Sequence, residues 1–334
     1  MREKVMVRLE RRLVARRLGP LRQLRKTPLI SCIVAGRSRL CRLLRRTITF
    51  SLFPSTTHQA QLTMPKFAVT ALITLLTLTS SLSATWSVIA VDARTGRIVI
   101  ASATCVSQDR LLSFPAKGLM DIQAIIVPGV GIAAAQAGVD RTRENQMLIY
   151  RELKKGTDPE QIIEMLAADS SFQRRQFEIV DLQGRCAGFS GSENRPASLS
   201  VQDSVPGTRI YFSIQGNILA SDAVVHEAVA AFKAETGSLT DRVMAAMEAA
   251  DAAGGDVRCT CETEPVLSAP CDGKTSHVAY ILAADPDDQE GPSFNDGDYS
   301  LYIDVTDQNI RPDENANPVT TLRMRYDRWK AEQR

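Results

Sequence analysis

The first strand-like pattern in the chain begins at residue 86. Two short apolar runs, 86–91 and 97–103, flank the polar turn Ala93-Arg94-Thr95-Gly96, and this spacing predicts a β-hairpin. Two more short strands are expected at 124–127 and 131–135, split by Pro128-Gly129. The apolar period then becomes helical. It predicts a helix over 141–155, capped by Asp140 and ended by Gly156, and a second helix opening at Thr157-Asp158-Pro159 and running to 168. A hairpin from 175–181 and 185–189 around Gln183-Gly184 and a strand at 209–214 come next. Helices over 221–235 and 239–252 follow, the latter opened by the capping-box-like Ser238-x-x-Asp241. Strands at 276–283 and 300–305 and a terminal helix over 318–332 complete the pattern, with no internal repeat. Strand pairs, helix pairs and late strands imply an α+β chain with helices layered on antiparallel sheets.

Charge changes the picture upstream of this pattern. The chain of 334 residues has a formal net charge of only +2, but residues 1–63 hold 15 Lys and Arg against 2 Asp and Glu. The remainder carries 25 basic against 36 acidic residues, so a basic leader precedes an acidic body. Three readings of residues 1–63 compete: a basic amphipathic helix on a membrane or nucleic acid, a transit-type leader, or sequence upstream of the real translation start. The third is preferred, because a complete export signal begins at Met64. Lys66 forms its positive start, 67–78 its apolar run and 80–84 its small-residue segment. The apolar run is shorter than the roughly 20 residues that span a bilayer. The expected layout is therefore 1–63 untranslated or unstructured, 64–84 signal peptide, and 85–334 one exported domain with no stable membrane span after processing. Its acidic surface argues against nucleic acid as a partner.

The expected cleavage after Ala84 leaves Thr85 with a free α-amine at the start of a strand. A Thr hydroxyl is a weak nucleophile until a base takes its proton, and an α-amine with a reference pKa near 8 can be that base. Seen differently, Thr85 is the β-branched first residue of a strand and nothing more.

The segment Thr85-Trp86-Ser87-Val88-Ile89-Ala90-Val91-Asp92 with Thr95-Gly96 resembles the opening of the domain of unknown function 1028 family, which is assigned to the N-terminal-nucleophile (Ntn) hydrolase superfamily. Matching stretches continue in order through Gly129-Val130-Gly131 to Gln136, Val180-Asp181-x-x-Gly184-Arg185, Gln215-Gly216-Asn217-Ile218-Leu219, Gly254-Gly255-Asp256-x-Arg258 and 313–322. The resemblance implies an αββα four-layer sandwich, with the site at the sheet ends where Thr85 lies. It implies Thr85 as nucleophile, Gln136, Gln215 and Asn217 as amide donors to an oxyanion or substrate, and Asp256 and Arg258 as polar groups at the edge. The family's Ser-Lys pair at the end of the second strand is reduced here to Ser102. The Asp and Lys that tune the nucleophile in proteasome-like members are absent from Ala101-Ser102-Ala103-Thr104, and Lys117 reads as an exposed loop residue.

Seven cysteines are present. Outside the leader, Cys259, Cys261 and Cys271 read as one disulfide plus a spare, and Cys105 with Cys186 as a candidate second bridge. A zinc site from Cys259, Cys261, Cys271 and His277 is the rival, but Cys-x-Cys is not the usual zinc spacing, so no metal is expected. No other cofactor is expected either. Gly129-x-Gly131-x-x-Ala134 lacks the βαβ setting of a dinucleotide site, the acidic stretch 285–298 reads as a solvated loop rather than a calcium site, and His226 reads as an ordinary helix residue. Two function classes are carried forward. One is an exported amidohydrolase acting on a small-molecule or peptide amide; the other is a catalytically silent binding or cell-surface assembly module with the same fold. A homo-oligomer is left open.

Overall fold

The computed structural model describes residues 85–333. The expected leader and signal segment lie outside them. Among the described residues, ten strands form two antiparallel sheets, and with seven α-helices they make a mixed α+β fold. The strands are β1 (Thr85–Asp92), β2 (Ile98–Thr104), β3 (Ala124–Val127), β4 (Gly131–Ala137), β5 (Arg175–Asp181), β6 (Cys186–Ser190), β7 (Leu199–Ser204), β8 (Ile210–Asn217), β9 (Val278–Ala284) and β10 (Leu301–Thr306). The helices are α1 (Gln108–Leu112), α2 (Leu119–Gln123), α3 (Glu144–Lys155), α4 (Pro159–Leu166), α5 (Ala223–Ala234), α6 (Leu239–Ala252) and α7 (Pro318–Glu332). The larger sheet runs β10-β9-β2-β1-β8-β7 and the smaller β3-β4-β5-β6.

Strand β1 sits in the interior of its sheet, and its sequence says why. All eight residues are buried, on both faces, and the run Trp86–Val91, apolar except at Ser87, suits a strand covered on both faces. Its two faces feed different cores. Trp86, Val88 and Ala90 join residues of α5, α6 and α7, including Phe232, Met247 and Tyr326. Ile89 and Val91 join Ile98, Ile100 and Leu282 of the same sheet and Ile126, Ile132 and Val180 of the smaller sheet. A third cluster packs Ile125, Ala133, Phe177 and Ile179 against Ile149 and Leu153 of α3 and Ile162 and Leu166 of α4. Burying each such side chain fully is worth about 1.5–3 kcal/mol, so three contiguous clusters hold the sheets and helices together.

The helix ends follow local chemistry. Ser238 and Asp241 form the expected capping box at α6, and Asp158 accepts from Glu160 N ahead of Pro159 at the start of α4. Gly156 closes α3 at φ +77°, a left-handed conformation that side chains strain to adopt. The start of α3 differs from expectation. The capping position is Arg143, not Asp140, and the helix begins at Glu144. Asp140 still serves this end, because its Oδ2 accepts from Asn145 N at 3.0 Å from a turn that its Oδ1 holds through Thr142 N. Elements α1, α2 and β7 were not anticipated. The two helices have five residues each, too short to show a period, and β7 is a half-exposed sheet edge with weak alternation.

Candidate functional site

The space between the two sheets changes character along the strands. At one end it is the apolar cluster just described; at the other, where β1 starts, alternate positions turn polar. Thr85 and Ser87 of β1, Ser102 and Thr104 of β2, Gln136 of β4, Gln176 and Glu178 of β5, and Ser213, Gln215 and Asn217 of β8 are all buried. Register explains the clustering: Thr85 lies opposite both Thr104 and Asn217, and Ser87 opposite both Ser102 and Gln215.

Thr85 is 3% exposed and its Oγ1 donates to Thr104 Oγ1 at 3.2 Å. Its carbonyl accepts from Gln136 Nε2 at 3.2 Å, and the same nitrogen donates to Gln176 Oε1 at 2.8 Å. Asn217 Nδ2 also donates to Gln176 Oε1, at 3.0 Å, while Gln176 Nε2 reaches Gly216 O at 2.8 Å. Gln136 Oε1 receives Gln123 Nε2 at 2.6 Å and Ser87 Oγ at 2.9 Å. Ser87 Oγ lies closer still to Glu178 Oε1, at 2.6 Å. Burial pushes the Glu178 carboxyl well above its ordinary value, and the hydroxyls of Ser87 and Ser213 offset that only in part. Beside Thr85 a crevice of about 20 Å³ is lined by Thr104, Leu119, Ile122, Gln123, Gln136 and Val139, among others. That volume admits roughly one water molecule.

The structure therefore gathers Thr85, Gln136 and Asn217 in one network. It treats the other anticipated residues differently. Ser102 points into the same layer, but its Oγ donates to Trp86 O at 2.6 Å, which fastens β2 to β1. Gln215 is fully buried, and among the described residues neither its Nε2 nor its Oε1 meets a hydrogen-bond partner. Asp256 is fully buried and organises a loop. Its Oδ1 accepts from Arg258 N and Nε at 3.0 Å, and its Oδ2 accepts from Arg258 Nη2 at 2.6 Å and Cys105 N at 3.2 Å. Lys117 is exposed, as its sequence setting implied. A different lysine, Lys274, is buried beside the site's edge, where its Nζ donates to Pro265 O at 3.1 Å and burial lowers its pKa.

The cysteine expectations need correction. The bridges are Cys105–Cys259 and Cys261–Cys271, and Cys186 is a free thiol. Cys186 starts β6 in the smaller sheet, whereas Cys105 follows β2 in the larger one, where the Asp256 carboxylate brings it to the loop holding Cys259. The spare cysteine of the 259–271 stretch is thus Cys259. Every sulfur of the alternative zinc set is bonded to another sulfur. Ligand atoms of Cys105, Cys259 and His277 lie within 4.8 Å of one another, but with the disulfide intact neither sulfur is a thiolate. His277 is held neutral, its pKa pushed down to about 4 by burial and by Lys274 and Arg258. Elsewhere, carboxylates of the 285–298 stretch cap backbone amides, as Asp288 Oδ2 does for Asp285 N and Ser300 N, and His226 is exposed.

Residues the sequence reading missed are Ser87, Thr104, Gln123, Gln176 and Glu178. Their signal was present: polar residues at alternate positions, as in Thr85-x-Ser87, Ser102-x-Thr104 and Gln176-x-Glu178, inside strands that are otherwise apolar.

The family described as a family of unknown function (DUF1028) matches residues 85–269. A crystal structure of a DUF1028 protein from Silicibacter pomeroyi is similar with a TM-score of 0.52 and 24% identity, covering 74% of this chain and 89% of that one. That likeness speaks to the fold alone. No curated protein matches the chain.

Proposed function

The chain belongs to the family of unknown function DUF1028, and from that premise we propose an exported amidohydrolase with the four-layer αββα sandwich of the Ntn hydrolases. Thr85 Oγ1 is the nucleophile and the α-amine of Thr85, freed by processing, is the base. The observation that carries this reading is the setting of Thr85: it heads a buried polar layer and borders a crevice, and its side chain bonds only a neutral hydroxyl among the described residues. With no side-chain base engaged there, the amine on the same residue is the group within reach of the hydroxyl proton. The amine takes that proton as Oγ1 attacks the amide carbonyl. The proton then passes to the departing amine as the C–N bond breaks, and water hydrolyses the resulting ester to restore Thr85. Since the crevice holds about one water, the amide substrate binds outside it.

The succession of three apolar clusters, helices against the larger sheet, sheet against sheet, and the smaller sheet against helices, supports the layered sandwich. Among the described residues no helix is long and apolar enough to cross a membrane, and export is supported by two disulfide bridges. It is further supported by the family match opening at Thr85.

One observation favours the silent module. The amide donor Gln136 Nε2 spends both of its hydrogens on internal acceptors and Asn217 Nδ2 spends one of its two, which leaves a single amide hydrogen of this pair for an oxyanion in this conformation. Intact mass and terminal sequencing of the protein exported by a suitable host separate the two. A chain beginning at Thr85 that hydrolyses amides, with Thr85→Ala inactive, supports the hydrolase. A chain beginning at Ala84 or earlier blocks the amine and leaves the binding module.

A further inference from the structure

The hydrogen count at Ser87 identifies a residue that no sequence motif marked. Ser87 Oγ carries one hydrogen, yet two oxygens face it: Gln136 Oε1 at 2.9 Å and Glu178 Oε1 at 2.6 Å. The orientation of the Gln136 amide is fixed by Thr85 O. A backbone carbonyl only accepts, so the atom 3.2 Å from it must be Nε2 and the atom facing Ser87 must be Oε1. An amide oxygen has no hydrogen to give. The Ser87 hydrogen therefore goes to Gln136, and the second contact needs its hydrogen from Glu178. Ser213 Oγ beside it accepts from Gln202 Nε2 at 2.9 Å, and among the described residues Glu178 Oε2 is buried with no hydrogen-bond partner, a position that a charged carboxylate oxygen would not tolerate.

We propose that Glu178 is a protonated carboxylic acid and a positioning residue for Thr85, acting through the directed chain Glu178 O–H to Ser87 Oγ, Ser87 O–H to Gln136 Oε1, and Gln136 N–H to Thr85 O. The chain links the Glu178 proton to the Thr85 carbonyl through three consecutive hydrogen bonds. It fixes the carbonyl of the residue whose hydroxyl and amine are assigned to catalysis; only that last clause rests on the hydrolase reading. The surroundings agree. Glu178 is 0% exposed, and burial opposes its charged form. The groups facing it are Ser87 from β1 and Ser213 from β8. The phenol of Tyr280 on β9 is electrostatically close and is itself driven further from ionisation by burial. Among the described residues no cation offsets its charge.

The test compares the full-length wild type with Glu178→Gln and Glu178→Ala. A carboxyl that keeps its proton when folded but loses it near 4.5 when unfolded weakens the folded state as pH rises. The unfolding constant of wild type relative to Glu178→Gln, from urea titrations at pH 5 to 8, should rise about tenfold per pH unit until Glu178 ionises in the fold. A flat or falling ratio overturns the proposal, because it means Glu178 is already ionised. The ¹³Cδ resonance of Glu178 in the wild type, at its protonated position at pH 7, reads the same point without any variant. For positioning, the ¹³C′ resonance of Thr85 should move in Glu178→Ala and return in Glu178→Gln, whose amide can donate to Ser87. An unmoved resonance in Glu178→Ala, or no return in Glu178→Gln, overturns the positioning role. Neither readout depends on hydrolysis, so an inactive Thr85 would sink the proposed function and leave this result standing.

Discussion

The two disulfides close loops of very different length, and their contributions to stability should differ accordingly. Cys105–Cys259 spans 154 residues and Cys261–Cys271 spans 10. If a cross-link acts mainly by restricting the unfolded chain, the loop-entropy relation gives about 5 kcal/mol for the long loop and about 2.7 kcal/mol for the short one. These are upper values, since residual structure in the unfolded chain reduces both. Their difference, about 2.4 kcal/mol from 1.5RT times the logarithm of the length ratio, is the firmer quantity. The perturbation is a pair of alanine double variants, Cys105→Ala with Cys259→Ala and Cys261→Ala with Cys271→Ala. Paired removal leaves no new thiol in either case. Urea unfolding at pH 6 gives both midpoint and slope, and the slope should rise in the long-loop variant as its unfolded chain expands. A short-loop variant destabilised as much as the long-loop variant would refute the chain-entropy reasoning. It would point instead to native contacts around the 261–271 loop.

Gly131→Ala should destabilise by roughly 1–3 kcal/mol in chemical unfolding, because an added Cβ would meet Val180 O at 2.8 Å and Asp181 Cα at 3.0 Å, and backbone cannot yield as a side chain can. Glu314, with no exposed side-chain surface and held by Arg311, Arg325 and Arg328, has its pKa pushed down to about 2, chiefly by Arg325. Its stabilisation is complete above the ordinary carboxylate value and is lost as pH falls toward 2, so the acid limb of a stability–pH curve should flatten in Glu314→Gln by on the order of 2–3 kcal/mol. The Cys186 thiol, pushed up to about 12 mainly by burial, should resist alkylation at pH 8 in the folded protein and react once unfolded, as read by peptide mapping.

How much of this was legible in the sequence depended on whether the signal was periodic or relational. An apolar run such as β3, a strand leading into a Gln-Gly turn such as β5, and helices with explicit starts could be placed closely: β3, β5, α6 and α7 have the expected bounds. Short or half-exposed elements carry too few residues to show a period, which is why α1, α2 and β7 escaped. Thr85 and Gln136 were found by position and motif. Glu178 was not, because alternating polar residues such as Gln176 and Glu178 read as a solvent face until register places them opposite another sheet. Disulfide pairing was equally relational. Cys105 and Cys259 meet because Asp256 gathers two distant loops, and spacing along the chain does not encode that.

The strand order of the larger sheet has a consequence for how the chain is made. β1 emerges early from the ribosome, yet one flank pairs with β8, and β2 pairs with β9, a partner nearly two hundred residues later. The sheet around Thr85 therefore cannot close until β8 and β9 have been made, and such long-range pairings are slow to form. A polypeptide that stays open until its last third is available is suited to being threaded through a translocase. On the proposed export route the chain would acquire its fold on the far side, in a compartment where its cysteines can be oxidised.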